Sequence, residues 1–483
     1  MEHKLPKRHA RAIPFAELER IAGKANVLSR PEDLMLYEYD GLSAQAMPDA
    51  VVFPATSAEV SGVVKLAAQH KIPVVARGAG TGLSGGAVAA EGGIVIGLSR
   101  MNAIVEIDLE NQRARVQPGV VNIDLSLAVS DAGYYYAPDP SSQKACTLGG
   151  NVAENSGGPH TLAYGVTTNH VLGLEVVLPD GSVVRAGGKC WDFPGYDLRG
   201  LVTGSEGTLG VVTEVTVRLC HKPEAVKTLL AVYEHCRDAT ETVAAITARG
   251  ITPSALEMMD GFMLRAVEAA THAGFPLDSA AVLLIEVEGL REAVDDDAEQ
   301  IEAVCREKRA REVRLARSER ERDLLWRGRK NAFGAIGRLS PNFYVQDGVI
   351  PRTRLPEVMD FMEQVEQKYG LRIGNIFHAG DGNLHPLILY DSRDTEQARK
   401  VIQAAGEIIA KCVELGGSIT GEHGVGLEKN ELMPLLFSED DLEMMRSIKA
   451  IFNPQGLFNP GKVLPTGKMC GELRVQRGGG DLN

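Results

Sequence analysis

A chain of 483 residues is long enough for two or more domains, and its 44% hydrophobic content supplies the cores they need. With 64 acidic against 51 basic residues the net charge is -13, which argues against nucleic acid or a strongly anionic membrane as the main partner. Cys146, Cys190, Cys220, Cys236, Cys305, Cys412 and Cys470 contain no CxxC pair, which leaves an iron–sulfur cluster or structural zinc unsupported and fits a reducing, cytoplasmic setting.

The N-terminus, MEHKLPKRHARAIP, is basic, but no apolar run of about seven residues follows it and no stretch of about 18 spans a bilayer. The protein is expected to be soluble, held at a membrane only through partners. Residues 1–45 form a lead-in with a helix at Phe15–Ala25. Residues 46–224 are dense in glycine and β-branched runs, with strands expected at Ala50–Phe53, Pro73–Ala76, Gly93–Gly97, Ala103–Asp108, Arg113–Pro118, Val171–Leu178, Val183–Ala186 and Gly210–Leu219. Thr56 and Ser57 open a helix to His70. From 225 to 420 amphipathic helices are expected at Cys236–Arg249, Gly261–Ala273, Leu290–Arg309, Ser318–Arg338, Pro356–Tyr369 and Thr395–Leu415. Between them, strands Val226–Val232, Ala281–Val287, Ile373–His378 and Pro386–Tyr390 suit one antiparallel sheet, so the fold class reads as α+β. A last segment, 421–465, carries a helix at Asp440–Phe452, and the Gly-rich tail 466–483 is expected to be disordered.

Residues 71–86, KIPVVARGAGTGLSGG, satisfy GxGxxG at Gly80, Gly82 and Gly85, with an acid at Glu106. A Rossmann motif must open a crossover helix, and the strand expected at Gly93 leaves no room for one. What remains is a strand-to-strand loop whose backbone N–H groups can face an anion such as a pyrophosphate, helped by Arg77, Thr81 and Ser84. Taken alone, it is also compatible with a flexible surface loop. The clusters Pro138–Gln143, Leu148–Asn151, Asn155–Gly158 and Gly204–Gly210 add rigid turns and bare backbone, suited to close packing around a planar ligand.

In NIFHAGDGNLHPLILYD, Asp381-Gly382 is a hairpin signal with His378 and His385 at mirror positions, where Cβ atoms stand roughly 4.5–5.5 Å apart. The two imidazoles either share a divalent metal or are polar cross-strand partners. Downstream, Glu422 offers a third ligand and His423 a candidate base.

These residues resemble the vanillyl alcohol oxidase and p-cresol methylhydroxylase-like flavoprotein family. The likeness runs from VVARGAGTGLSGG through PDPSSQKACTLGGNVAENSGG to LVTGSEGTLGVVTEV, then to HAGDGNLHP, GEHGVGLEK and FNPGK, covering about residues 30 to 465. Within it the chain is most similar to the branch of D-2-hydroxy acid dehydrogenases that includes the FAD-binding D subunit of bacterial glycolate oxidase. D-lactate and D-2-hydroxyglutarate dehydrogenases belong to the same branch. The resemblance implies a two-lobed FAD-binding domain, a helical cap with an antiparallel sheet, and a C-terminal segment returning to the flavin.

FAD would bind at Arg77, Gly78, Ala79, Gly80, Thr81, Gly82, Ser84, Gly85 and Gly86. Family likeness extends its site to Pro138, Ser141, Ser142, Gly149, Gly150, Asn155, Gly158, Gly204, Glu206, Gly207, Val212 and Asn459, with Lys462 beside it. It would be noncovalent, since no histidine lies between His70 and His160. His378, His385 and Glu422 inherit a divalent metal (zinc, manganese or iron), and His423 the role of base. Arg329 is the first choice to pair with the substrate carboxylate, and Arg338 the second. Leu387 and Val345 stand where 2-hydroxyglutarate enzymes carry polar and basic residues, so a small monocarboxylate, glycolate or D-lactate, is favoured. The chain has no second redox centre, and the resemblance points to iron–sulfur and second flavin subunits as electron acceptors, reaching the inner membrane through them. The alternatives are a D-2-hydroxyglutarate or other 2-hydroxy acid dehydrogenase, an oxidase of a larger alcohol or sugar, and a non-catalytic flavin electron-transfer subunit.

Overall fold

The computed structural model describes residues 11–190 and 194–466. Most of the basic N-terminal run and the tail from residue 467, with Cys470, lie outside the described residues; Thr466 itself donates to Glu431. Three main sheets organise the chain.

The first sheet has the order Val27–Leu28, Ala50–Val52, Ile94–Gly97, Val74–Arg77. Its last three strands are parallel, fully or largely buried and β-branched, as a sheet covered on both faces requires. The crossover helix Ser57–Gln69 is capped by Thr56, whose hydroxyl accepts from the Glu59 N–H. Between Val74–Arg77 and Ile94–Gly97 the chain makes an irregular glycine loop and no helix, as the failed Rossmann pattern anticipates. Much later, Phe458 lies parallel beside Val74: the Val74 N–H donates to Leu457 and the Asn459 N–H to Val74. The C-terminal segment thereby returns to this sheet's edge.

The second sheet is antiparallel, ordered Ile104–Asp108, Arg113–Val116, Val211–Arg218, Val171–Val177, Val183–Gly187. Against it packs the helix Leu148–Glu154, capped by Thr147, in a stretch where turns were expected. Its Gly149 and Gly150 lower helix propensity, so tertiary packing decides the conformation.

The third sheet has seven antiparallel strands, ordered Glu312–Leu315, Ala225–Tyr233, Ala281–Gly289, Ala255–Asp260, Arg372–Phe377, Pro386–Tyr390, Asn342–Val345. One face is covered by helices Cys236–Ala248, Arg291–Glu307, Leu355–Tyr369 and Thr395–Glu414, the other by Gly261–Thr271, Glu319–Lys330 and Ala332–Ile336. Three of its strands were not expected. Ala255–Asp260 is buried at every position, so it carries no alternation to read. The single helix expected over Ser318–Arg338 is broken at Asn331, which ends one helix and starts the next.

The sheets are joined by a buried ion network. His160 stands 3.0 Å from Asp139 and 3.5 Å from Glu286, and Lys330 donates to Asp139 and Gln143. Glu286 accepts in turn from Arg322, Trp326 and Thr228.

Candidate active site

The glycine loop, the segment 140–156, the Glu206–Gly207 turn and the strand Asn342–Val345 enclose a cavity of about 650 Å³, within the range of ligand pockets. Of the residues expected to bind a cofactor, Gly78, Ala79, Gly80, Thr81, Gly82, Gly86, Ser141, Ser142, Gly150, Glu206 and Gly207 line it. Arg77, Ser84, Gly85, Pro138, Gly149, Asn155, Gly158, Gly204, Val212 and Asn459 are not among the lining residues. Several of these support the wall from behind. Asn459 donates to the carbonyls of Gly86 and Glu206, and Lys462 to those of Gly86 and Val88. Arg77 lies beneath the loop, its Nη2 2.2 Å from where a Cβ on Gly80 would stand, and its buried Nη1 has no protein partner. A wall of bare backbone over a buried cation with a free donor fits the phosphates of a dinucleotide.

At the other end of the cavity lie His385, Glu422 and His423. The hairpin differs in register from the expected one: His378 faces Asn383 across a loop centred on Gly380 and Asp381, so His385 is its diagonal neighbour. A register change of two leaves both side chains on one face, and the rings still meet, with centroids 5.0 Å apart at 84°. Gly382 turns this loop at φ +81°, with a Cβ's place only 2.0 Å from the Ile350 carbonyl, so no other residue fits.

Glu422 Oε1 is 3.1 Å from His378 Nε2 and 3.3 Å from His385 Nε2. One ligand atom from each of His378, His385 and Glu422 lies within 4.8 Å of the others, compatible with a shared ion at about 2.1 Å from each. The buried His385 Nε2 has no hydrogen-bond partner, which also suits a metal. His378 Nδ1 meets Glu257 at 2.8 Å, the arrangement that orients metal-binding imidazoles. Asp347 ties down the loop bearing Glu422, accepting the N–H groups of Gly421, Glu422 and His423 and the Thr420 hydroxyl.

Burial pushes the Glu422 carboxyl up, but His378, His385 and His423 outweigh it and hold it at about 2. For His423 burial prevails: opposed by Asp347 and helped by His385 and Lys429, it brings the imidazole down to about 4, neutral at physiological pH. His423 stacks on His385 with centroids 4.9 Å apart.

Arg329 is not among the residues that line the cavity. It is buried against Glu257 at 2.5 Å and against His378 Nδ1 at 3.4 Å, outside the cavity wall, with its Nε unpartnered. Arg338 is exposed and lines no part of the cavity. Sequence reasoning missed Glu257, Asp347 and Glu154. Glu257 had a signal, an acid inside the apolar run ALEMM, where a buried charge needs a partner.

Comparison with known proteins bears directly on this cavity. Residues 48–187 match the FAD binding domain family, and residues 222–463 match the C-terminal domain of FAD linked oxidases. The chain belongs to the FAD-linked oxidases. Within that family it is 46% identical to the glycolate oxidase subunit GlcD of Escherichia coli (strain K12), over 97% of this chain and 94% of the relative. It is 35% identical to the D-lactate dehydrogenase of Anaerostipes hadrus, over 87% of this chain and 90% of that one. The solved structure of p-cresol methylhydroxylase with substrate bound superposes with a TM-score of 0.80 at 19% identity, covering 94% of this chain and 97% of that one. That likeness establishes the α+β flavoprotein fold. The FAD-linked oxidase therefore has an FAD-binding domain whose matched span contains the glycine loop. No helix among the described residues is long and apolar enough to cross a membrane.

Proposed function

We propose that this FAD-linked oxidase oxidises a small 2-hydroxy monocarboxylate, glycolate or D-lactate, to the 2-oxo acid. The observation that carries the reading is the cluster of His378, His385 and Glu422, beside a neutral His423, which reaches through His385, Glu422 and His423 into a cavity also walled by glycine backbone. The named relatives, a glycolate oxidase subunit and a D-lactate dehydrogenase, support the substrate class.

The glycine loop would hold FAD noncovalently, and the flavin would supply a two-electron acceptor for the C2 hydrogen. A divalent cation on His378, His385 and Glu422 would supply Lewis acidity toward the substrate's oxygens. His423 takes the hydroxyl proton. Its Nδ1 is 4.0 Å from Asp347 and its Nε2 4.0 Å from Glu422, so Nε2 is the nitrogen that faces the reacting group. Arg329 supplies positive charge behind His378, where the Glu257 carboxylate meets both the guanidinium and the imidazole. Val345 lines the cavity and pairs with the buried Leu387, an apolar wall with no clamp for a second carboxylate.

The chain divides into an FAD-binding unit (46–224), a cap (225–420) and a closing segment (421–465). The electrons then pass to partner subunits, an iron–sulfur protein and a second flavoprotein; GlcD is itself named a subunit. The protein is placed in the cytoplasm, at the inner membrane only through those partners.

An anaerobic titration of the yellow protein with glycolate, D-lactate, L-lactate and D-2-hydroxyglutarate tests the reading. Glycolate or D-lactate should bleach the flavin rapidly, and prior chelation should abolish the bleaching. Bleaching that survives chelation removes the metal from the scheme, and no bleaching by any of the four removes the substrate class.

A further inference from the structure

One half-buried acid on the cavity wall has no part in that scheme. Glu154, the last residue of the helix Leu148–Glu154, points its carboxyl into a socket made by three glycines. A Cβ on Gly86 would stand 2.4 Å from Glu154 Oε1, one on Gly424 2.3 Å from its Oε2, and one on Gly82 3.8 Å from Oε1. The same point above Gly424 is 2.9 Å from Glu206 Oε1, so the two carboxyls are close neighbours. The socket joins the glycine loop, the helix end and the loop that carries Glu422.

The hydrogen bonds are divided unequally among the acids gathered there. Glu206 accepts the N–H groups of Val425 and Gly426, both at 2.7 Å. Asp40 accepts those of Leu42 and Ala87 and lies near Arg77. Among the described residues Glu154 receives only the Ser84 hydroxyl, at 3.5 Å. Neither nearby lysine reaches it. Lys462 gives its ammonium to the carbonyls of Gly86 and Val88 and to Asn459, while Lys429 faces Asp347, Glu428 and the Gly424 carbonyl. Lys449, the remaining cation near Glu206, donates to the Lys462 carbonyl. Two adjacent carboxyls, Glu206 buried and Glu154 half-buried, with one set of N–H donors between them cannot both ionise cheaply, and the one without donors keeps the proton. Burial first, then Glu206 and Asp40, push Glu154 well up, against Lys462 and Lys429.

We propose that Glu154 is a cofactor-positioning residue that meets FAD as a neutral carboxylic acid, so that FAD is held by the form in which the Glu154–Glu206 pair keeps one proton. The inference rests on the glycine-lined cavity being the FAD site. It adds that retention of this proton and retention of FAD are linked. An ionised Glu154 would place a further negative charge beside a ligand that already carries two phosphates, on the wall that the ligand must approach.

The test measures FAD dissociation from the holoprotein, by recovery of flavin fluorescence on dilution, from neutral to mildly alkaline pH, for wild type and Glu154→Gln. Above the ionisation of the pair, the wild-type Kd should rise by about tenfold per pH unit, one proton per FAD. Glu154→Gln, which cannot ionise, should lack that rise. A merely structural glutamate would leave the two pH profiles parallel, and parallel profiles overturn the proposal. So does a flat wild-type profile with FAD held at least about tenfold more tightly by Glu154→Gln at neutral pH, the result for an acid already ionised. If the variant does not fold, infrared spectroscopy of the wild-type holoprotein decides: a protonated-carboxyl band lost on alkaline titration together with FAD supports the proposal, and its absence overturns it. A protein that takes up no flavin at any pH overturns the FAD site itself, whereas a flavoprotein with parallel profiles overturns only the role of Glu154.

Discussion

The two ends of the cavity are built from different materials. At the glycine loop the wall is main chain, with a buried cation, Arg77, hidden beneath it. At the other end the wall is side chain, His385, Glu422 and His423 with His378 behind them, each held by a further charged group such as Glu257 or Asp347. A backbone site spreads its work over many N–H groups, so single substitutions weaken it gradually. A side-chain site concentrates its chemistry in a few atoms, and removing one removes the function.

The sharpest way to expose that difference is Glu422→Ala. It deletes the carboxylate that meets both hairpin imidazoles and leaves His378 and His385 facing each other without the anion between them. Turnover of the proposed substrate should fall by about a thousandfold or more, with loss of bound divalent metal by elemental analysis, while FAD content stays stoichiometric. Loss of FAD in this variant would mean that the two ends are not separable.

Glu257→Gln probes the same end one contact further out. The carboxylate that His378 Nδ1 and Arg329 share becomes an amide, so the imidazole loses its anionic partner while its Nε2 remains in place. Metal affinity, measured by competition with a chelator, should drop by about ten- to a hundredfold, the range for outer partners of metal-binding histidines. Unchanged affinity would make Glu257 a structural counter-charge for Arg329 alone.

The two ends also differed in how much of them the chain's letters disclosed. The glycine loop was readable because Gly80 and its neighbours are needed for conformation, and the space between Arg77 and the strand at Ile94 excluded a crossover helix. The histidine pair was readable through parity: the hairpin pairs His378 with Asn383, two residues from the mirror count, yet a shift of two keeps both rings on one face. Glu257 and Asp347 were hidden because each sits among residues buried on every side, where neither period 2 nor period 3.6 shows. Arg329 stood out in the sequence as a candidate, but its ion pair with Glu257 depends on a strand that local pattern could not place in the sheet. The helix Leu148–Glu154 was masked by its own glycines. Gly149 is required because a Cβ there would lie 2.5 Å from the Pro118 side chain, a contact only the folded chain reveals.

The smallest effects belong to the backbone end, and two alanines divide them. Gly80 has φ +70°, so Gly80→Ala strains this conformation of the loop, and its Cβ would press on the Arg77 guanidinium. The left-handed conformation costs a non-glycine residue about 1–2 kcal/mol, which corresponds to roughly a five- to thirtyfold loss of FAD affinity if the apoprotein loop relaxes to avoid it. Gly82 lines the cavity with an ordinary φ, and a Cβ there would meet nothing in the protein closer than Glu154 Oε1 at 3.8 Å. Gly82→Ala therefore finds room in the fold, and any loss of FAD it causes reports contact with the cofactor itself. Fluorescence titration of both variants with FAD separates strain from contact: Gly80→Ala should also lower the melting temperature of the apoprotein if its loop cannot relax, whereas Gly82→Ala should not. Equal melting temperatures and equal FAD affinities in wild type and both variants would place the dinucleotide elsewhere than on this loop.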